Sequence, residues 1–187
     1  MKKTLFSAAL AAAFGLVAMQ ASASDGTITF NGEVTDVTCT VTGGGNATGT
    51  GNNITVNLPK VGVTSLSAAG ATAGDTSFSL VLGGGTGCTN GKTASMWVDI
   101  SGSSLIDGST KSMKNDLSTG STAQVRLLNG TSFAPIDLLA GTNQPTATIA
   151  ANTATLNYVA QYLNGGAASS VNAGLVKTHL VFSMQYN

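Results

Sequence analysis

Gly174-Leu175-Val176-Lys177-Thr178-His179-Leu180-Val181-Phe182-Ser183-Met184-Gln185-Tyr186-Asn187 closes the chain. Leu180, Phe182, Met184 and Tyr186 recur at every second position, the period of a β-strand with one buried face. With Val176 upstream, the stretch predicts a strand over residues 176–186 that stops with the chain. No hairpin follows it, so a second strand has to come from elsewhere.

Upstream, turn-rich segments separate short apolar runs at the intervals of a β-sandwich, and no helical period persists. Strands are expected at 27–30 continuing through 33–42, then at 54–58, 77–82, 95–100, 123–128 and 155–163. The runs Gly43-Gly44-Gly45-Asn46-Ala47-Thr48-Gly49-Thr50-Gly51 and Gly83-Gly84-Gly85-Thr86-Gly87 are expected as flexible connectors. Neither carries the Lys-Ser/Thr ending of a phosphate-binding loop. Asn129-Gly130 marks a two-residue hairpin between residues 124–128 and 131–133. With 42% apolar residues there is enough material for a sheet core despite the Gly-, Ser- and Thr-rich composition. The fold class expected is all-β.

Met1-Lys2-Lys3, the apolar run Leu5 to Met19 and the small-x-small triplet Ala21-Ser22-Ala23 have the three parts of a cleaved export signal. The run is too short and Ala-rich for a retained span. Cleavage after Ala23 removes 23 of 187 residues and leaves 164, the size of one domain. Without Lys2 and Lys3 the eight basic side chains fall to six against eight acidic ones, so the mature chain offers no basic surface for nucleic acid or anionic lipid. No membrane insertion is expected after cleavage.

Cys39 and Cys88 are the two cysteines, and in an exported chain they read most simply as one disulfide. Closing a loop of this size would stabilise by roughly 3 to 4 kcal/mol. A metal site lacks ligand spacing, with His179 as the single histidine. His179 falls on the polar face opposite Leu180 and Phe182, which argues for surface or interface rather than a catalytic base. Asp99 has no paired acid nearby in sequence. No catalytic residue, metal or cofactor is expected. Trp97 is expected in core or groove packing, and 5% aromatics are too few for an obvious sugar-stacking platform.

The first mature residues have the same alternation as the last. Gly26, Ile28, Phe30, Gly32 and Val34 are small or apolar, with polar residues between, so one face of this segment suits a groove. Taken with Cys39, Cys88, Gly174 and penultimate Tyr186, these motifs resemble the pilin subunits of chaperone–usher fimbriae such as type 1 and P pili, across essentially the whole precursor. The resemblance implies an incomplete immunoglobulin-like β-sandwich, the pilin fold, completed by a donor strand. In that reading residues 1–23 are the signal peptide, 24–36 the N-terminal donor-strand arm and 37–187 the pilin domain.

Gly26, Ile28, Phe30 and Gly32 would be the inserting positions of the arm. Gly174, Leu180, Phe182, Met184 and Tyr186 would belong to the strand read by the chaperone and then by the next subunit. The partners implied are a periplasmic pilus chaperone, an outer-membrane usher and neighbouring pilin subunits in a head-to-tail homopolymer. Export would run through the periplasm to the bacterial cell surface, where the fimbrium supports adhesion. The arm before Gly26 is only Ser24-Asp25, and the Gly-rich segment after Cys39 is long for the family. A major shaft subunit fits one domain without a receptor-binding module; the alternatives are a minor or adaptor pilin, or a secreted carbohydrate-binding β-sandwich.

Overall fold

The computed structural model describes residues 34, 36–51, 53–85, 87–166 and 171–187. The expected signal peptide and the arm positions Gly26, Ile28, Phe30 and Gly32 lie outside the described residues. Thr35–Asn187 forms one compact unit.

The strands are β1 (Thr40–Gly45), β2 (Ala47–Thr50), β3 (Asn53–Val56), β4 (Thr72–Gly83), β5 (Thr93–Val98), β6 (Gln124–Asn129), β7 (Thr146–Thr148), β8 (Ala154–Leu163) and β9 (Phe182–Tyr186), with one 3-10 turn at Val63–Leu66. They form a six-stranded sheet in the order β3-β2-β1-β4-β8-β6 and a three-stranded sheet in the order β7-β5-β9. Every pairing among them is antiparallel.

The core lies between the sheets because alternate residues of each strand point inward. Leu80 and Leu82 of β4, Ala94, Met96 and Val98 of β5, Val125 and Leu127 of β6, and Leu156, Tyr158 and Ala160 of β8 meet there. Leu82 and Leu156 have no exposed surface, and each such side chain contributes about 1.5–3 kcal/mol by burial. Phe78 faces Tyr158 across the β4–β8 ladder, and their rings stack at 5.3 Å. From Val159 onward the outer face of β8 is also covered, which leaves Gln161 buried among polar partners. With its amide nitrogen toward Asp75, it donates there at 2.7 Å and accepts from Arg126 Nη2 at 2.7 Å. Cys39 and Cys88 are disulfide-bonded across a sequence separation of 49, with Cα atoms 4.5 Å apart.

Several expectations need correction. The glycine run 43–51 is not a connector: Thr40–Gly45 pairs along β4, and after Asn46 the chain returns as β2. Glycine is what permits this tight return. A Cβ on Gly43 would stand 2.9 Å from the Ala47 carbonyl carbon, and one on Gly49, at φ +106°, would overlap the Asn53 carbonyl oxygen. Residues 36–39, expected as strand, join no ladder among the described residues. The reversal after β6 is longer than two residues. Asn129 Oδ1 accepts from the Thr131 and Ser132 amides, Phe133 turns at φ +56°, and pairing resumes at Leu128 and Pro135. Strand β7 has no counterpart among the expected strands; its three residues Thr-Ala-Thr are too short to show a period.

Candidate functional site

The last fourteen residues form two regimes. From Phe182 to Tyr186 the chain is β9, an edge strand paired with β5 alone among the described residues. From Gly174 to Val181 it lies outside any ladder, which corrects the expectation of one strand over 176–186. Loop groups replace the missing ladder. Ser121 N donates to the Leu175 carbonyl at 3.0 Å, and Asp116 N to that of Lys177 at 2.8 Å. Asn115 adds three contacts: its Nδ2 donates to the Leu175 carbonyl, also at 2.8 Å, and to that of Ser121, while its Oδ1 accepts from Lys177 N. Further along, Asp99 N donates to the Val181 carbonyl, and Val181 N donates to the Ser103 hydroxyl.

All these bonds to the closing segment use its odd-numbered residues. Asn187 exchanges both main-chain bonds with Thr93, so the same parity continues through β9. The N–H and C=O groups of residues 176, 178, 180, 182 and 184 therefore point to the other side. Among the described residues nothing pairs with them. The side chains obey the complementary rule: even positions from 176 to 186 are half-buried, and odd positions are exposed.

What faces this free edge is an open seam. The opposing wall is β3 with the segment that follows it, and β3 is the outermost strand of the other sheet. Between the walls lie two cavities of about 440 and 450 Å³ that meet at Leu58 and Val176. The first runs from Ile54–Leu58 to Leu180 and Phe182 over a floor of core side chains, among them Phe78, Leu80, Met96 and Leu127. The second runs from Val61 and Leu66 to Val171 and Gly174, over Ala123 and Tyr162. Lys177 and His179 stand at the mouth. Thr178 contributes a buried hydroxyl that finds no hydrogen-bond partner among the described residues.

Of the residues singled out from sequence, Leu180 and Phe182 line the first cavity and Gly174 the second. Met184 and Tyr186 line neither cavity and pack on the core. Tyr186 ends at the disulfide: its hydroxyl meets the main chain of Cys39, while burial pushes its pKa up. Gly174 acquires a physical reason. Its Cβ would stand 2.7 Å from Ser121 N and 2.8 Å from the Gly120 carbonyl carbon, and a Cβ on Gly120 would strike the Leu175 carbonyl. The two glycines let two backbones touch where the wall begins. Sequence reading misses the opposing wall as a wall, as well as Gly120 and Asn115; an isolated Asn-Asp in a polar loop carries no periodic signal.

Trp97 is neither core nor groove. It sits on β5 with Ser95, on the face opposite Met96, and is 47% exposed. Asp99 is likewise structural. Its carboxylate accepts from Ser101 Oγ and from the Ser101 and Gly102 amides, which holds its pKa below the usual value. Among the described residues no group of three or more His, Cys, Asp or Glu side chains is placed to hold a metal ion. No helix among them is long and apolar enough to cross a membrane.

A two-sheet sandwich whose β9 edge is left unpaired among the described residues, over an apolar trough, defines the class: an incomplete immunoglobulin-like domain of the pilin type. The type-1 fimbrial protein A (FimA) family model matches residues 58–187. The F17 fimbrial protein of Escherichia coli is 34% identical over 168 residues, 88% of each chain. The major fimbrial subunit SMF-1 of Stenotrophomonas maltophilia K279a is 50% identical over 64 residues, which is 34% of this chain and 35% of that one. Solved structures with a similar fold include the CupB6 tip adhesin of Pseudomonas aeruginosa, at TM-score 0.52 and 16% identity over 68% of this chain and 34% of the other. A Burkholderia pseudomallei antigen and type I fimbria protein superposes at TM-score 0.51 and 23% identity, over 71% and 81% of the two chains. This chain belongs to the type-1 fimbrial protein family, and it is a structural pilin of a chaperone–usher fimbria.

Proposed function

We propose that this pilin is the shaft subunit of its fimbria, polymerising by donor-strand exchange. The observation that carries the reading is the seam between β3 and the C-terminal segment, where unpaired main-chain groups and an apolar trough are open together. An edge and trough of this kind are an aggregation hazard unless another chain covers them. Chaperone–pilin complementation is itself an established instance of strand addition to a sheet edge, in which main-chain bonds give affinity and alternate side chains fill pockets.

The N-terminal arm fits that vacancy in length and pattern. Gly174 to Phe182 counts nine residues, and so does Gly26 to Val34, each spanning about 30 Å when extended. Ile28 and Phe30 are the anchors, contributing roughly 1.5–3 kcal/mol each when buried. Gly26 and Gly32 would sit where the trough leaves no room for a side chain. Val34, the last apolar position of the alternation, is 100% exposed in the single chain.

A periplasmic chaperone would fill the trough first, and at the outer-membrane usher the arm of the next subunit would replace it. Plug and socket on one molecule give a heterologous contact that propagates as a filament. The chain acts as a building block rather than an enzyme.

Two substitutions separate plug from socket. Phe30→Asp is expected to leave the chaperone complex intact and abolish fibres. Phe182→Asp is expected to lower recovery of the chaperone complex itself. Co-purification with the chaperone and electron microscopy of sheared cells read the two outcomes, and unchanged fibres in both strains would refute the assignment.

A further inference from the structure

The outer face of the three-stranded sheet carries a small pocket that strand exchange does not use. Trp97 projects from β5 beside Ser95, and Gln185 of β9 pairs with Ser95 across the ladder. Together with Ile100, the Leu138–Gly141 turn and Gln144, these residues enclose a cavity of about 210 Å³. Its rim is preformed. Asp137 Oδ1 accepts from the Leu139 and Ala140 amides at 2.8 and 2.9 Å, and the Asp137 carbonyl accepts from Gly141 N at 2.8 Å. Ile100 is 49% exposed beside the half-exposed indole.

Ser95, Gln185 and Gln144 are the polar side chains that line the pocket, and Gln144 is the unsatisfied one. Its amide oxygen and nitrogen are both shielded from solvent, and neither has a hydrogen-bond partner among the described residues. An amide left in that state is destabilising until a partner arrives. A rotation of the side chain toward the cavity it lines would offer a donor and an acceptor side by side. Among the described residues no charged side chain lines the cavity; the nearby carboxylates of Asp99 and Asp137 are committed to their own turns.

We propose that this pocket binds one neutral pyranose ring of a glycan. An indole face takes the apolar C–H face of such a ring, and neighbouring hydroxyls match the paired donor and acceptor of Gln144. An apolar guest of the same size would leave the amide unpaired. The volume admits one ring rather than a chain. A weak site repeated on every subunit of a fibre binds a glycan-covered surface by avidity. The site lies on the face opposite the trough, so it stands whether or not strand exchange assembles the fibre.

Trp97 is the single tryptophan of the chain beside three tyrosines, so emission excited selectively at tryptophan reports this pocket in purified fibres. Titration with the methyl glycosides of galactose, mannose, N-acetylglucosamine and fucose is expected to give a saturable emission shift for at least one sugar. Gln144→Ala is expected to weaken that sugar about tenfold or more. Trp97→Phe, which keeps an aromatic platform, is expected to retain binding by saturation-transfer NMR, and Trp97→Ala to lose it, with fibres formed by all three variants. No saturable response to any of the four sugars overturns the proposal. So does an unchanged affinity in Gln144→Ala, or an emission that shifts on fibre assembly and ignores sugar, since a second copy would then cover the pocket.

Discussion

Gly174 and Gly120 show how one atom decides the shape of the groove wall. Each lies where the other's backbone segment passes at contact distance, and the Ser121–Leu175 hydrogen bond forms across that contact. Gly174→Ala is expected to push the wall outward and destabilise the subunit by about 1–3 kcal/mol, read as a lower urea midpoint of the donor-complemented subunit. Tyr158 argues the other way. Its ring stacks on Phe78, but its hydroxyl is buried without a partner among the described residues, and burial drives its pKa far up. Removing an unpartnered hydroxyl while keeping the ring relieves a desolvation cost. Tyr158→Phe is therefore expected to leave the midpoint unchanged or raise it, and a drop of more than about 1 kcal/mol would reveal a hydrogen bond at that site.

Among the elements, three aspartate turns share one chemistry. Asp99, Asp107 and Asp137 each accept main-chain amides two and three residues ahead. Their carboxylates are held below the usual range, Asp107 most strongly, first by the Ser109 hydroxyl and then by the Thr110 and Ser109 amides. A carboxylate with a lowered folded pKa gives stability that is complete above the unfolded value of about 3.9 and is lost as pH falls through the folded one. These solvent-screened turns are thus expected to cost the donor-complemented subunit no melting temperature between neutral pH and about 5, and to lower it gradually below about 4. Asp107→Asn should flatten part of that fall, which a pH series of thermal melts would measure.

How far the elements are legible in the sequence depends on what holds them. Strands β4, β5, β6 and β8 are visible because their inward faces are large and apolar, and the disulfide follows from cysteine count and export. Strands β1 and β2 are hidden because glycine there serves close backbone approach, and composition makes such a run look like a linker. The unladdered half of the groove wall looks like strand because Val176 and Leu180 keep the period-two phase of Phe182 and Met184 in β9. Periodicity reports which face is buried, not who supplies the hydrogen bonds. The bulk of Trp97 alone suggests an inside position; β5 alternates Met96 inward and Trp97 outward, and only the strand's orientation in the sheet reveals that.

At the scale of the whole molecule, the proposed strand exchange would account at once for the open seam, the apolar trough and the period-two alternation of residues 26–34. The disulfide and Tyr186 close the sandwich at the far end of β9, so the wall is fixed at both ends and unpaired in the middle. Under the proposed exchange, an extended strand would pair with this surface by register, and its sequence would decide how well it fills the trough. The most direct measurement is native mass spectrometry of a chaperone-bound subunit lacking residues 24–34, mixed with a synthetic peptide of those residues. One peptide per subunit should replace the chaperone, and the peptide carrying Phe30→Asp should not. Fibres growing from the armless subunit alone, or equal uptake of both peptides, would contradict the account.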